Sequence, residues 1–297
     1  MDVLVIANLR SGSSDVRLLE FADALTRSGA SVTMRLVAPH TPAESLVHDA
    51  ASFDRIVAAG GDGTVSSVLH AVRDRDVPVA ILPSGTANLS ARNLGLPSDP
   101  RALADLALHG PVSRFDLGEI AVGGAVHSFF VVAGAGFDAQ IMAGAEPMKP
   151  IIGEGAYILS ALQAARTWPS TLILTLDGRK MVTEGTAVLL VNLARIQFDL
   201  SLVHESDATD GVFEVVVMKT RTLADLVPTI WAALLDRLAS YPDRPGFEVH
   251  TAHEVELIAE PPLRVQHDGE VDAPTPFSAR VLPNAALVVV PEAHSRV

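Results

Sequence analysis

Between Ala58 and Val72 the chain reads AAGGDGTVSSVLHAV. An apolar run enters two glycines, an aspartate, a glycine and a threonine, and a helical pattern then leaves. A strand-to-helix turn of this kind points backbone amides outward without partners and adds the positive end of a helix dipole, so it suits an anion. Glycines let the main chain approach such a guest and take unusual dihedrals. The spacing therefore predicts a phosphate held against Gly60, Gly61, Gly63 and Thr64. Asp62 is the odd member, because a bare carboxylate repels phosphate. It makes sense beside Mg2+ or a magnesium-bound water, since that ion takes a few carboxylates plus phosphate oxygens. The plain alternative is a glycine turn in which Asp62 or Thr64 caps the helix. The spacing fits neither GxxxxGK[ST] nor GxGxxG, which sets aside P-loop and dinucleotide fingerprints.

Two more small-residue turns share this setting. NLRSGSS follows the strand-like VLVIA (Val3 to Ala7), and PSGTAN follows VAIL (Val79 to Leu82). In an open α/β sheet ligands bind at the carboxyl ends of the strands, so three such turns on one edge predict a nucleotide-phosphate cradle. The elements that must position them alternate. DVRLLEFADALTRSG predicts a helix capped by Asp15 and ended by Gly29, with Leu18, Leu19, Ala22 and Leu25 at helical spacing. SVTMRLV and RIVAAG predict strands; PAESLVHDAA, TVSSVLHAVRD and DPRALADLALHG predict helices. This order implies a Rossmann-like α/β domain with a mostly parallel sheet and helices on both faces. Beyond Ser113 short apolar runs are separated by Gly, Asp and Pro turns, which predicts an antiparallel β-sandwich. Two helical inserts, EGAYILSALQAAR and LADLVPTIWAALLDRLAS, interrupt it. The last strand, AALVVVP, is expected to return to the first domain. The expected domains are 1–118 with about 283–297, and 119–282, with the chemistry in a cleft between them.

Composition narrows the function. The chain has 297 residues, 48% of them hydrophobic, yet no run approaches the ~18 apolar residues of a membrane span. Met1 and Asp2 lead straight into a strand, so no signal segment is expected. The lack of cysteine excludes disulfides, thiolate zinc sites and thiol catalysis, and is compatible with a cytoplasmic location. A formal charge of −13 argues against a nucleic-acid partner and against whole-molecule attraction to anionic membranes. The ten histidines show no spacing such as HExxH, and His204, His250, His253 and His267 read as surface or turn residues.

Seven stretches in fixed order carry a resemblance: GGDGTV (60–65), PSGTANLSARNLGLP (83–97), FDLG (115–118), GAGFDAQI (134–141), GEGAY (153–157), DATDGVFEVVV (207–217) and HDGE (267–270). With them the chain resembles the lipid kinases typified by bacterial diacylglycerol kinases and related to sphingosine kinases. GGDGT alone is shared with NAD kinases; the later motifs separate this chain from them. The resemblance implies ATP and Mg2+ as cofactors. It implies ATP phosphates on the turns holding Asn8, Arg10, Ser11 and Gly12, on Gly60 to Val65, and on Ser84, Gly85 and Thr86, with Asn88 beside them. It makes Glu270 the catalytic base and Asp116, with Asp62, part of the network that reaches magnesium. It also implies a second, structural magnesium at Asp210 with main-chain oxygens around Asp207 and Val212. From the residues alone, Glu270, Asp116 and Asp210 would be turn or hairpin residues; Asp138 is expected to be structural.

The chain departs from the family pattern at four places. Leu9 replaces the proline of NPxSG, Asn88 is followed by Leu-Ser-Ala without the usual aspartate, and NLARIQFDLSLVHESDATDG lacks a glycine triplet and carries His204 where proline is usual. VAPHTP likewise lacks a threonine expected after the second strand. Diacylglycerol is the first expected acceptor, with sphingosine- or ceramide-type and other hydroxylated lipids behind it. A soluble-metabolite kinase and a non-catalytic nucleotide- or lipid-binding relative remain as rival readings. The expected partner is a lipid at a membrane surface, met by peripheral association. Lys149 and Arg166, or the apolar stripe around Trp231, could touch that surface, although an ordinary packed helix is the blander reading of the stripe. A homodimer is an expectation of the resemblance alone.

Overall fold

A computed structural model describes residues 1–9, 14–38, 41–136, 169–194, 203, 206–219 and 245–294. The chain divides into two compact units: Met1–Leu117 with Ala208–Gly211 and Leu282–Val297, and Gly118–Asp207 with Val212–Val281. Arg10, Ser11, Gly12, Asp138, Lys149, Arg166, His204 and both expected helical inserts lie outside the described residues.

In the first unit, β1 (Asp2–Ala7), β2 (Ser31–Leu36), β3 (Arg55–Gly60) and β4 (Val79–Pro83) pair in parallel in the order β2-β1-β3-β4. The end of β16 (Phe277–Val289) joins them, with Val288 parallel to Val79. Central strands of a parallel sheet are covered on both faces and read as unbroken apolar runs. VLVIA and IVAA do so, and Val3 to Ala7 are all buried. One face packs Val3, Val5, Val57 and Leu82 on α1 (Ser14–Arg27) and α5 (Pro100–His109) through Leu18, Phe21, Leu25, Leu103 and Ala107. α3 (Asp62–Ala71) packs on β3 and buries Val65, Val68 and Leu69. The shorter α2 (Ala43–Leu46) and α4 (Leu89–Asn93) complete the helices described in this unit.

Details differ from the sequence expectation at the helix starts. α1 begins at Ser14, so Asp15 lies inside the first turn rather than capping it. At the other end Gly29 follows the helix with a φ of 84°, the left-handed conformation that a glycine stop supplies. α5 shows the pattern a sequence reader hopes for: Asp99 caps it by accepting from the Ala102 amide at 2.9 Å, and Pro100 occupies the first position.

The second unit is a β-sandwich. One layer pairs the first half of β16 with β13 (Glu254–Glu260), then β8 (Ser170–Leu176) and β9 (Arg179–Gly185), all antiparallel. The other runs β12 (Phe247–Ala252), β11 (Phe213–Met218), β10 (Ala187–Val191), β7 (Val132–Ala135), β14 (Arg264–His267), β15 (Glu270–Pro274). Inward side chains of both layers share one core, including Leu172, Leu174, Val188, Leu190, Val255 and Leu257. β5 (Val112–Val122), which begins in the first unit and continues into the second, pairs with β6 (Ala125–Phe129), and Gly118 stands opposite Phe129. Among the described residues no helix is long and apolar enough to cross a membrane.

Gly118 ends the FDLG motif, and the pairing gives the reason for a glycine there. A Cβ at this position would fall inside the buried ring of Phe129, which itself packs on Phe213 with ring centroids 5.2 Å apart. We therefore expect Gly118→Ala to destabilise the protein by about 1–3 kcal/mol through overpacking. A denaturant titration that leaves the midpoint unchanged would refute this account of the motif.

Candidate functional site

The three small-residue turns lie at the carboxyl ends of β1, β3 and β4, and the sequence ties them together with hydrogen bonds. The Asn8 amide donates to Ala59 O at 2.9 Å, and its side-chain Nδ2 to Thr64 Oγ1 at 3.1 Å. The Ser84 amide donates to Gly60 O at 3.0 Å. Asn88, at a φ of 49°, folds its side chain back on its own turn: Oδ1 accepts from the Gly85 amide at 2.8 Å and Nδ2 donates to Gly85 O at 2.7 Å. Two of the turns then meet backbone to backbone. A Cβ on Gly85 would come within 2.5 Å of Gly61 Cα, so no larger residue fits there without a shift. Gly60 has a separate constraint, since its Cβ would strike the Thr64 side chain. A shallow depression beside the turns is lined by Ala7, Asn8, Leu9, Arg17, Ala59 and Ser84.

Asp62 does not cap its own helix. Gly61 is the N-cap of α3, and among the described residues no side-chain cap is seen at that end. The Asp62 carboxylate, only 9% exposed, turns to α4 instead. Its Oδ2 accepts from the Leu89 amide at 3.0 Å, and its Oδ1 accepts from the Ser90 amide at 2.8 Å and from Ser90 Oγ at 2.7 Å. One carboxylate thus caps a helix 27 residues downstream and fixes the PSGTAN turn against the GGDGT turn. Neither the capping by Asp62 nor that by Thr64 offered as the plain alternative occurs at α3. Gly63 and Val65 lie in the first turn of that helix, and Thr86 is exposed in the bend before α4.

Asp116 is fully buried on β5 and organises a second knot. Its amide donates to Ala208 O, its Oδ2 accepts from the Gly211 amide and its Oδ1 accepts from the Asn284 amide, each at 2.7 Å. Gly211 and Asn284 both take positive φ, 82° and 53°, to present those amides. Asp207 is half-buried, Asp210 and Thr209 line the same loop, and Asp210 is exposed. Among the described residues, Asp116, Asp207 and Asp210 do not bring three donor atoms together.

Glu270 is exposed at the first position of β15, opposite His267 across a tight hairpin. The turn between them takes two positive φ values, 43° at Asp268 and 88° at Gly269. Asp268, which sequence reasoning passed over, anchors it. Its carboxylate accepts from the amides of Phe130 at 2.7 Å and of Val131 and Val132 at 3.0 Å each, and its own amide donates to Val132 O. Asn284 was passed over as well. The only available signals were a DG pair and an asparagine that tolerates a left-handed backbone. His267 is buried, 6% exposed, contrary to its reading as a surface residue. Burial pushes its imidazole below the ordinary value and His127 adds to this, while Glu270 and Asp272 oppose it.

Comparison with known proteins places the fold and the family. A family model described as the diacylglycerol kinase catalytic domain matches residues 2–120, and one described as the YegS C-terminal NAD kinase beta sandwich-like domain matches 131–290. A diacylglycerol kinase of Mycobacterium tuberculosis is 30% identical over 246 residues, which is 80% of this chain and 77% of that one. A diacylglycerol kinase of Bacillus subtilis is 28% identical over 202 residues, 66% of this chain and 64% of that one. The crystal structure of a diacylglycerol kinase from Bacillus anthracis str. Sterne superposes with a TM-score of 0.77 at 21% identity, over 99% of this chain and 98% of that one.

The position of Asp62 separates a structural from a purely electrostatic role. Removing it leaves two buried amides and a hydroxyl unsatisfied, so Asp62→Ala is expected to lower stability by about 2–4 kcal/mol. Asp62→Asn should recover only part of this loss, because its Nδ2 cannot accept. A change below about 0.5 kcal/mol for the alanine variant in chemical denaturation would contradict the capping role.

Proposed function

The chain belongs to the diacylglycerol kinase family, and we propose that it transfers the γ-phosphate of ATP to the hydroxyl of a membrane lipid, diacylglycerol first among them. The observation that carries this reading is the pair of glycine turns packed against each other beneath an uncapped helix end. Among the described residues no side-chain cap is seen at the amino end of α3, and its first amides are those that a helix cannot satisfy internally. Phosphate is the guest for which such an end is built.

In this reading the triphosphate lies along Gly60 to Val65 and Ser84 to Thr86, with Asn8 holding Thr64 in place. Phosphoryl transfer asks mainly for positioning and charge stabilisation. The lipid oxygen attacks the γ-phosphorus, the bond to the β-phosphate oxygen breaks, and ADP leaves. The proton from the lipid hydroxyl passes to the Glu270 carboxylate. Glu270 suits that role because Asp268 fixes its hairpin while leaving its own side chain exposed.

A divalent ion, Mg2+ in the usual kinase chemistry, supplies charge neutralisation for the phosphates when bound. The donor set here fits it in a limited way. A carboxylate offers about four lone-pair sites, and three hydrogen bonds already occupy Asp62, so one site on Oδ2 remains. That suffices for a magnesium-bound water rather than for a chelating grip. Asp116 would act through the loop it holds. Because the acceptor is a lipid, the protein would visit the membrane surface rather than span it.

Labelled phosphate transferred from ATP to a panel of hydroxylated lipids in mixed micelles tests the reading. The expected result is label on diacylglycerol, with kcat lowered about 10²–10⁴-fold in Glu270→Gln and nucleotide affinity unchanged. Label on a sphingosine- or ceramide-type lipid would keep the activity and change the acceptor. Transfer to a soluble metabolite without detergent, or ATP binding with no transfer to any acceptor, would refute it.

A further inference from the structure

Three side chains that the proposed reaction does not use converge in the second unit. His127 comes from β6, His267 from the end of β14 and Asp272 from β15. They are 140 and 5 residues apart in sequence, and no spacing rule joins them. In the fold, their donor atoms all lie within 4.8 Å of one another, the one such group of three among the described residues.

The local geometry is unlike an ordinary Asp–His pair. The two imidazoles stack, with centroids 4.4 Å apart and planes 19° from parallel, so both rings present an Nε2 to the same carboxylate oxygen. Asp272 Oδ2 is 2.7 Å from His127 Nε2 and 3.7 Å from His267 Nε2. Despite the short distance, His127 Nε2 is buried and makes no aligned hydrogen bond. Hydrogen-bond partners lie on each other's lone-pair axes, whereas ligands of a common ion lie off them. The other oxygen, Oδ1, accepts from the Ala273 amide at 2.6 Å, which turns Oδ2 toward the imidazoles. Such outer support is what orients a ligating carboxylate.

We propose that His127, His267 and Asp272 form a binding site for a zinc-class transition-metal cation that fastens β6 to the hairpin carrying Glu270. In a tetrahedral zinc site with bonds of about 2.0–2.1 Å, ligand atoms stand roughly 3.3 Å apart; the 2.7 and 3.7 Å separations bracket that value, the third lies within 4.8 Å, and the stacked rings must splay on binding so that both nitrogens face one ion. Three protein ligands leave a fourth position for water, and the partly exposed His127 and Asp272 give it a route in. Two imidazoles with one carboxylate select zinc, cobalt, nickel or copper over magnesium, so this site is separate from the phosphate-side ion of the proposed kinase. The proposal does not depend on the lipid-kinase reading.

The full-length protein, stripped with chelator, is titrated with Co2+ and followed by visible absorption, then challenged with Zn2+. The expected result is one equivalent of tetrahedral Co2+, displaced by Zn2+, with affinity weakened at least about tenfold in His127→Gln and in Asp272→Asn. Zn2+ at about a hundredfold excess over its Kd should raise Tm by about 5 °C, and millimolar Mg2+ should not. The metal-free Tm of each variant checks that it folds. Zn2+-dependent shifts of the His127 and His267 imidazole nitrogen resonances in the unsubstituted protein supply a readout that needs no variant. Absence of binding, binding unaltered by both substitutions, or nitrogen shifts confined to other histidines would each overturn the site.

Discussion

Buried and half-buried carboxylates that accept main-chain amides hold this structure's irregular segments in place. Asp62, Asp116 and Asp268 each take hydrogen bonds from backbone donors far away in sequence, and each ties a loop that has no ladder of its own. A hydrogen bond to a charged group contributes about 1.5–3 kcal/mol, more than the roughly 1 kcal/mol of a neutral one. Several of them offset the desolvation of a buried carboxylate, and removing the carboxylate strands every donor at once. The regular strands and helices would form around these points in any case, since their cores are apolar. The turns would not. The residues proposed for the chemistry lie on those turns, so the proposed site rests on these three aspartates before it rests on any catalytic group.

Two of the three aspartates are also those that family resemblance assigns to magnesium. The two roles compete for the same lone pairs. At Asp62 three are taken by α4, which leaves little room for direct ligation. Loss of activity on replacing such a residue would therefore mix two effects, a displaced turn and a lost ion contact. Stability and turnover must move in different proportions before an ion can be credited. Glu270 is free of this ambiguity, because it is exposed on a hairpin whose geometry Asp268 maintains. Position and chemistry are divided between neighbouring residues there, and combined in one residue at Asp62.

The α/β-then-sandwich order was legible in the sequence because unbroken apolar runs, helical spacing and glycine stops are local signals. VLVIA, RIVAAG and VAIL became β1, β3 and β4 with small shifts of boundary. Gly60, Gly61 and Gly85 were legible as turn residues, but not as residues forced by contact, since the meeting of Gly85 with Gly61 joins positions 24 apart. The direction of the Asp62 side chain was illegible for the same reason: capping rules look three residues ahead, and its partners lie 27 and 28 away. Asp268, Asn284 and the His127–His267 stack depend on which strands become neighbours. Periodicity finds strands without naming their partners. His267 read as a turn residue because DG follows it, yet its place at the end of β14 between β7 and β15 buries it.

An acidic chain proposed to hold a polyanion faces an electrostatic problem, and the net charge of −13 makes it acute. Beyond about 8–10 Å ordinary salt screens most of that charge, so only groups beside the turns matter. Asp62 is the nearest carboxylate in sequence to the glycine amides. In the structure its charge faces the amino end of α4, where three donors surround it. Among the described residues, that leaves the amino end of α3 without a carboxylate cap. Had Asp62 capped α3, as a residue at a helix start commonly does, the protein would carry its own anion in the place where a phosphate should lie. In the proposed reading, the same contact that locks the two turns together also directs the Asp62 charge away from the place of the phosphate, so folding of the turns and affinity for the anion would follow from one side-chain orientation.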